Sequence, residues 1–474
     1  METAQQPVLL TDEQMRTFIT EGFLILKTDF PEAFHRSLLE GLTHVYEKEG
    51  NPGNNLLPRI REVQKVFDHP VVTGALISVL GPNYMMHTHR HGHFNASPKA
   101  GGWHKDSYWG YERMRNHHPW WAMIMYFPQD TPVELGPTGI MPGTQHYESR
   151  TFEEDDVPGE ALASGGAGTF ALIHYDIWHR STPNVLGQER YMLKFEFMRT
   201  QAPEAPSWDN REAQWRRPAA FSTEIAEHDL LWEETWNWLS GRVGSLAGSA
   251  AAEAEAGRTA ELAALLEAGS EPQALNAAYT LACQGEPGVQ ALLSTLEHGS
   301  ERASRQAAYG LSAAGAEAVD GLTAALGSPQ THTAVGAVFA LGELRHLAAR
   351  SVPALNRLLV SGAPEAVRRA VAEALGQIGT PSAEAVDGLS RCLEDADVQV
   401  RFTAGLALSR LGASAEAAVP QLAAALEDEN RYVRGHAAEA LHYIGTDRAK
   451  DTLIRFLMNS RWCPSTTPQS TFYP

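Results

Sequence analysis

A short apolar pattern recurs six times through the second half of the chain: AAYTL (277–281), AAYGL (307–311), AVFAL (337–341), VAEAL (371–375), AGLAL (404–408) and AAEAL (437–441). The closing leucines, Leu281, Leu311, Leu341, Leu375, Leu408 and Leu441, lie 30 to 34 residues apart. Between copies runs a second apolar set at helical spacing, such as Val352, Leu355, Leu358 and Leu359, or Val419, Leu422 and Leu426. A glycine often follows the first helix of each pair (Gly285, Gly315, Gly379, Gly412, Gly445), where a positive φ costs least. One such helix pair cannot bury its apolar face alone, whereas stacked copies share a continuous core. The pattern predicts an all-α solenoid over residues 258–458.

The first half reads differently. Ten of the eleven tryptophans precede residue 240, and all three cysteines follow residue 280. The change falls in GRVGSLAGSAAAEAEAG, predicted as a linker over 241–257 between a first domain (1–240) and the solenoid. A Pro/Ser/Thr-rich tail, 459–474, reads as extended. The DxxVR-type elements DADVQVR and DENRYVR resemble short HEAT-like repeats. That resemblance implies a curved face for a protein partner or for self-association, with plain scaffolding as the alternative.

In the first half, Thr11 to Gln14 has a capping-box pattern that starts a helix ended by Gly22, followed by a strand at 23–26. Pro31 starts a second helix, through about Glu49. From 84 to 196 the signals become short strands between Gly, Pro and Asp turns: AMIMYF, TGIMP, GTFALIH and MLKFEFM. Many short strands with long loops predict a sandwich or jelly roll. Near 230–240, Trp232, Trp236 and Leu239 share one helix face that reads as packing.

Within this half, GGWHKDSYWGYE places His104 and Asp106 at i and i+2. On an extended segment both point to one side, as two ligands of one metal would; a polar pair in a surface turn is the plainer reading. The best third ligand lies in HYDIWHRSTPNVLGQER, where His179 follows a strand and Arg190 comes eleven residues later.

WHKD (103–106), LGPTGIMPGTQH (135–146) and GTFALIHYDIWHRSTPN through Arg190 together resemble the phytanoyl-CoA dioxygenase (PhyH) family over about residues 10–210. The resemblance implies a double-stranded β-helix, a cupin-like jelly roll with flanking helices, that binds iron(II) and uses 2-oxoglutarate and O₂ as cosubstrates. It implies iron held by His104, Asp106 and His179, and 2-oxoglutarate anchored by Arg190 with Ser181. Two imidazoles and a carboxylate leave coordination positions open for both cosubstrates, and an arginine fork matches a carboxylate. The retained Asp106 favours hydroxylation over halogenation. The implied activity is hydroxylation of an unactivated C–H bond of a small molecule, with succinate and CO₂ as co-products. The sequence departs from the family at Met125, where a Trp is common, and at Leu135, in place of Asn or Asp.

His93, Asn95, Trp103, Tyr108 and Trp109 are candidate substrate contacts. His87, His89, His91 and His93 alternate, which on a strand puts them on one face and raises a second metal site against a merely polar face. His117 and His118 read as solvent-facing, and Arg115 as a surface residue. The net charge of −19 argues against nucleic-acid or anionic-membrane partners. No apolar run reaches the roughly 18–20 residues of a membrane helix, and the N-terminus shows no signal pattern. Three scattered cysteines fit a reducing cytoplasm. Rival readings are a solenoid adaptor with a non-turning-over dioxygenase-like half, a protein hydroxylase that recruits its target through the repeats, and a metal-dependent hydrolase.

Overall fold

The computed structural model describes residues 6–106, 114–153, 158–253 and 255–459. Tyr108, Trp109 and the tail beyond 459 lie outside them. The chain divides into two compact units, Met1–Gly321 and Leu322–Pro474.

The first unit holds a double-stranded β-helix with flanking helices, together with the first repeats. Its strands are β1 (Phe23–Lys27), β2 (Met85–Asn95), β3 (Trp121–Tyr126), β4 (Thr138–Ile140), β5 (Ala161–Leu162), β6 (Thr169–His174), β7 (His179–Ser181) and β8 (Arg190–Met198). They form a five-stranded sheet, β1-β6-β3-β8-β2, and a three-stranded sheet, β5-β4-β7. Every pairing is antiparallel.

Strand β8 is buried along its whole length, yet its sequence RYMLKFEFM alternates. Side chains on a strand point to opposite faces with period two. Phe195 and Phe197 meet Phe67, with ring centroids 4.1 and 5.7 Å away. Arg190, Met192, Lys194 and Glu196 therefore share the other face. The first three of them line a cavity.

Helix Asp12–Glu21 opens with a full capping box between Thr11 and Gln14 and ends at a left-handed Gly22. Helix Glu32–Glu49 follows Pro31. In helix Asp229–Leu239, Trp232, Trp236 and Trp238 are completely buried. Trp236 packs on Trp208 and under Arg16, while Trp238 stacks on His118 at 4.4 Å.

Two sequence expectations are corrected. His117 and His118 are 4% and 1% exposed rather than solvent-facing. His117 Nδ1 meets Tyr279 Oη at 2.8 Å, and His118 Nε2 meets Glu234 at 2.5 Å. Arg115 is buried between Glu148 and Asp176 rather than on the surface. Both corrections have one cause: helices distant in sequence cover this loop, and no local pattern records that.

The repeats form paired helices, and all six recurring leucines are completely buried. Gly379 and Gly445 close their helices in the left-handed conformation. In the second unit, the charged DxxVR elements link successive repeats. Arg368 reaches Asp395 at 2.7 and 2.9 Å, and Arg401 reaches Asp428 at 2.8 and 3.4 Å. Among the described residues, no helix is long and apolar enough to cross a membrane.

Leu375→Ala should lower the stability of the second unit by about 2–5 kcal/mol in urea unfolding, because the lost side chain leaves a cavity. Val360→Ala, at a position 64% exposed, should stay within about 0.5 kcal/mol.

Candidate metal centre

His104 and His179 face each other across a two-bond antiparallel bridge. His104 N donates to His179 O and His179 N to His104 O, both at 3.0 Å. Gly101 N donates to Ser181 O at 2.9 Å, so residues 101–104 extend the edge formed by β7. A Cβ at Gly101 would sit 2.6 Å from Ser181 Oγ, so a larger residue there would have to displace that hydroxyl.

Each imidazole uses Nδ1 on a carbonyl two residues back. His104 donates to Gly102 O at 2.9 Å and His179 to Ile177 O at 3.1 Å. A carbonyl only accepts, so Nδ1 carries the proton and Nε2 keeps a lone pair for a metal. Asp106 Oδ1 accepts from Lys194 Nζ at 2.6 Å. Its Oδ2 lies 3.3 Å from His179 Nε2, and both atoms are buried without a hydrogen-bond partner.

Two buried acceptors aimed at one another are unfavourable unless a cation lies between them. One ligand atom from each of His104, Asp106 and His179 falls within 4.8 Å of the other two. A proton could serve the Asp106–His179 pair alone; the convergence of His104 selects a metal ion. Two imidazoles and one carboxylate suit iron(II) with open positions. Burial opposes the Asp106 charge, but Lys194 and His179 outweigh it and hold its pKa well below the usual carboxylate range. Burial, and then His179, push the His104 pKa down.

His104 and His179 open onto a cavity of about 180 Å³. Arg190, at the start of β8, is 2% exposed. Its Nε donates to Gly136 O at 3.0 Å, its face lies over Phe127, and Nη1 has no partner. Gly136 presents that carbonyl from a φ of +73°, where a Cβ would lie 2.6 Å from Thr182 O. This is the structural use of the LGPTG element. Burial alone pushes the Arg190 pKa down to about 10. A guanidinium buried without a carboxylate beside a cavity suits an anionic ligand.

Ser181, His93 and Asn95 also line the cavity, as does Met125. Burial, aided by Lys194, drives the His93 pKa down to about 3, so the ring is neutral. Trp103 does not reach the cavity. It packs 4.5 Å from the Arg180 guanidinium and 4.9 Å from Phe152, while Arg180, itself part of the cavity lining, pairs with Glu160. The four alternating histidines are split by an irregularity in β2 between Met86 and Arg90. His87 is buried 3.2 Å from Glu196, whereas His91 and His93 lie opposite Lys194 and Met192. Among the described residues, the His104, Asp106 and His179 group is the one metal-type cluster.

Sequence reasoning missed Lys194, Thr138 and Met192. The signal for two of them was available: Met192 and Lys194 follow Arg190 at i+2 and i+4, on the same face of the strand.

Residues 41–192 match the family model of phytanoyl-CoA dioxygenase (PhyH), and residues 319–409 and 386–462 match HEAT repeats. The chain thus carries a region that matches the PhyH model, followed by regions that match HEAT repeats. No curated protein matches it. Similar solved structures include the non-heme alpha-ketoglutarate-dependent carbocyclase SnoK from nogalamycin biosynthesis, 15% identical, with 41% of this chain and 88% of that one covered at a TM-score of 0.33. The non-heme monooxygenase ThoJ in its nickel complex is 18% identical, with 45% and 88% covered and a TM-score of 0.32. The epimerase SnoN, also from nogalamycin biosynthesis, is 13% identical, with 40% and 83% covered and a TM-score of 0.32.

Lys194→Met removes the ammonium that holds the Asp106 pKa down, so that pKa should rise. Metal binding requires the carboxylate. Nickel(II) affinity should therefore fail at a higher pH in the variant than in the wild type when calorimetric titrations are run from neutral toward acid. Asp106→Ala should cost more than the roughly 10–100-fold typical of an outer-sphere partner.

Proposed function

We propose that the first domain, residues 1–240, is an iron(II)- and 2-oxoglutarate-dependent dioxygenase that hydroxylates an unactivated C–H bond of a small molecule. The observation that carries this reading is one cavity lined by His104 and His179 of the His104, Asp106 and His179 cluster and by buried Arg190, whose Nη1 is unpartnered. In the balanced reaction, substrate, 2-oxoglutarate and O₂ give hydroxylated product, succinate and CO₂.

His104, Asp106 and His179 would hold the iron. Bound iron(II) supplies the electrons that let O₂ react with the keto acid, a task zinc cannot perform. The chain's own residues do the rest. Arg190 takes the far carboxylate of 2-oxoglutarate with a fork already oriented by Gly136 O. Ser181 and Thr138 supply hydroxyls on the facing strands β7 and β4. Lys194 occupies one oxygen of Asp106 and leaves the other for metal. Met125 and Met192 make part of the wall apolar, which limits water at the reacting centre. Neutral His93 and Asn95 stand at the substrate side as hydrogen-bonding groups.

The repeats, 258–458, follow the 241–257 linker and offer a surface for a protein partner or a second copy. A cytoplasmic setting suits the free buried thiols of Cys283 and Cys392.

Anaerobic addition of iron(II) and 2-oxoglutarate, followed by O₂, should yield succinate from the wild type. His104→Ala should abolish it. Arg190→Ala should weaken 2-oxoglutarate binding at least about 100-fold, the loss of a charge-assisted bidentate pair, and Arg190→Lys should restore little of it. Intact folding without cosubstrate binding in the wild type would sink the dioxygenase reading.

A further inference from the structure

Lys105 separates the two ligands His104 and Asp106, and its own side chain points elsewhere. Nζ donates to Thr144 O at 3.0 Å and to Asp176 O, over the ring of Trp178. Asp176 is 1% exposed. Its carboxylate accepts from Arg115 Nη1 at 3.1 Å and from Asn116 N at 3.3 Å. Arg115 in turn makes a bidentate pair with Glu148, at 2.7 and 3.0 Å. One ionic network thus ties the metal-binding segment to the loops around 115, 148 and 176.

That network ends on the repeats. Tyr309 Oη accepts the backbone N–H of Arg115 at 3.0 Å, and its ring lies 4.1 Å from that of His117. Tyr279 Oη meets His117 Nδ1 at 2.8 Å. Glu271, the first residue of helix Glu271–Ala282, accepts from Glu148 N at 2.6 Å, Ser149 N at 3.0 Å and Ser149 Oγ. Tyr279, Tyr309 and Glu271 are 2%, 1% and 8% exposed, and all lie in the first compact unit. Polar groups this buried lose their water on packing, so each needs its partner in place.

We propose that Tyr279, Tyr309 and Glu271 are positioning residues for the His104–Asp106 segment, so that the first repeats complete the metal centre and do not merely follow it. The proposal rests on the metal-holding role of His104, Asp106 and His179 for its consequence in binding, but not for its consequence in local order.

The test uses the full chain. Tyr279→Phe and Tyr309→Phe are combined and compared with Ser304→Ala, which removes a buried bond internal to the repeats (Ser304 Oγ to Leu296 O, 2.9 Å). Hydrogen exchange of the metal-free protein is read at amides 101–106 and 115–118, and nickel(II) affinity by calorimetry. The tyrosine variant should exchange at least about 10-fold faster in both segments and bind nickel about 10-fold more weakly. Ser304→Ala should lower the melting temperature and change neither. If the double variant does not fold, Glu271→Gln carries the same expectation. Unchanged exchange at 101–106 overturns the positioning role. A wild type that binds no nickel overturns the metal reading instead, and the exchange result still decides this proposal.

Discussion

The two hydrogen bonds between the backbones of His104 and His179 are the constraint on which the site depends. They join a loop after β2 to the start of β7 and bring two ligands 75 residues apart in sequence to a ring separation of 4.4 Å. Because the link is backbone to backbone, it fixes the imidazoles without spending their side-chain nitrogens. Each Nδ1 is then free to lock its tautomer on a local carbonyl. A metal held this way is placed by the sheet and oriented by the loops.

Around that bridge the interior carries unusual charge. Arg190, Lys194 and Glu196 share one buried face of β8. Buried charges persist only when paired or when they await a partner. Lys194 has Asp106, and Glu196 has His87. Arg190 alone among these three has no acidic partner among the described residues, and its free Nη1 points at the cavity's chemistry more directly than any residue count does.

Much of this was legible in the chain. Six leucines at a near-constant spacing, with a second apolar set at helical spacing between them, specify stacked helix pairs that share one core. His104, Asp106, His179 and Arg190 were readable as one group because the family that the chain resembles keeps such residues in a fixed order and spacing, and the fold brings them together. What was not legible is tertiary. Nothing near His117 announces that Tyr279 and Tyr309 will cover it. Nothing near Trp103 announces that it will pack against Arg180 and Phe152 rather than line the cavity. The change of composition near 241–257 marks where helical repeats begin, while packing places the first of them in the same compact unit as the sheets.

The alternation along β8 has a consequence for how the fold can fail. A slip of one residue against β3 or β2 would turn Tyr191, Leu193, Phe195 and Phe197 into the cavity and drive an arginine, a lysine and a glutamate against Phe67. In that register none of the three charges faces the cavity. The same charges that equip the cavity therefore act as a proofreading device against a one-residue slip, which would bury them on an apolar face.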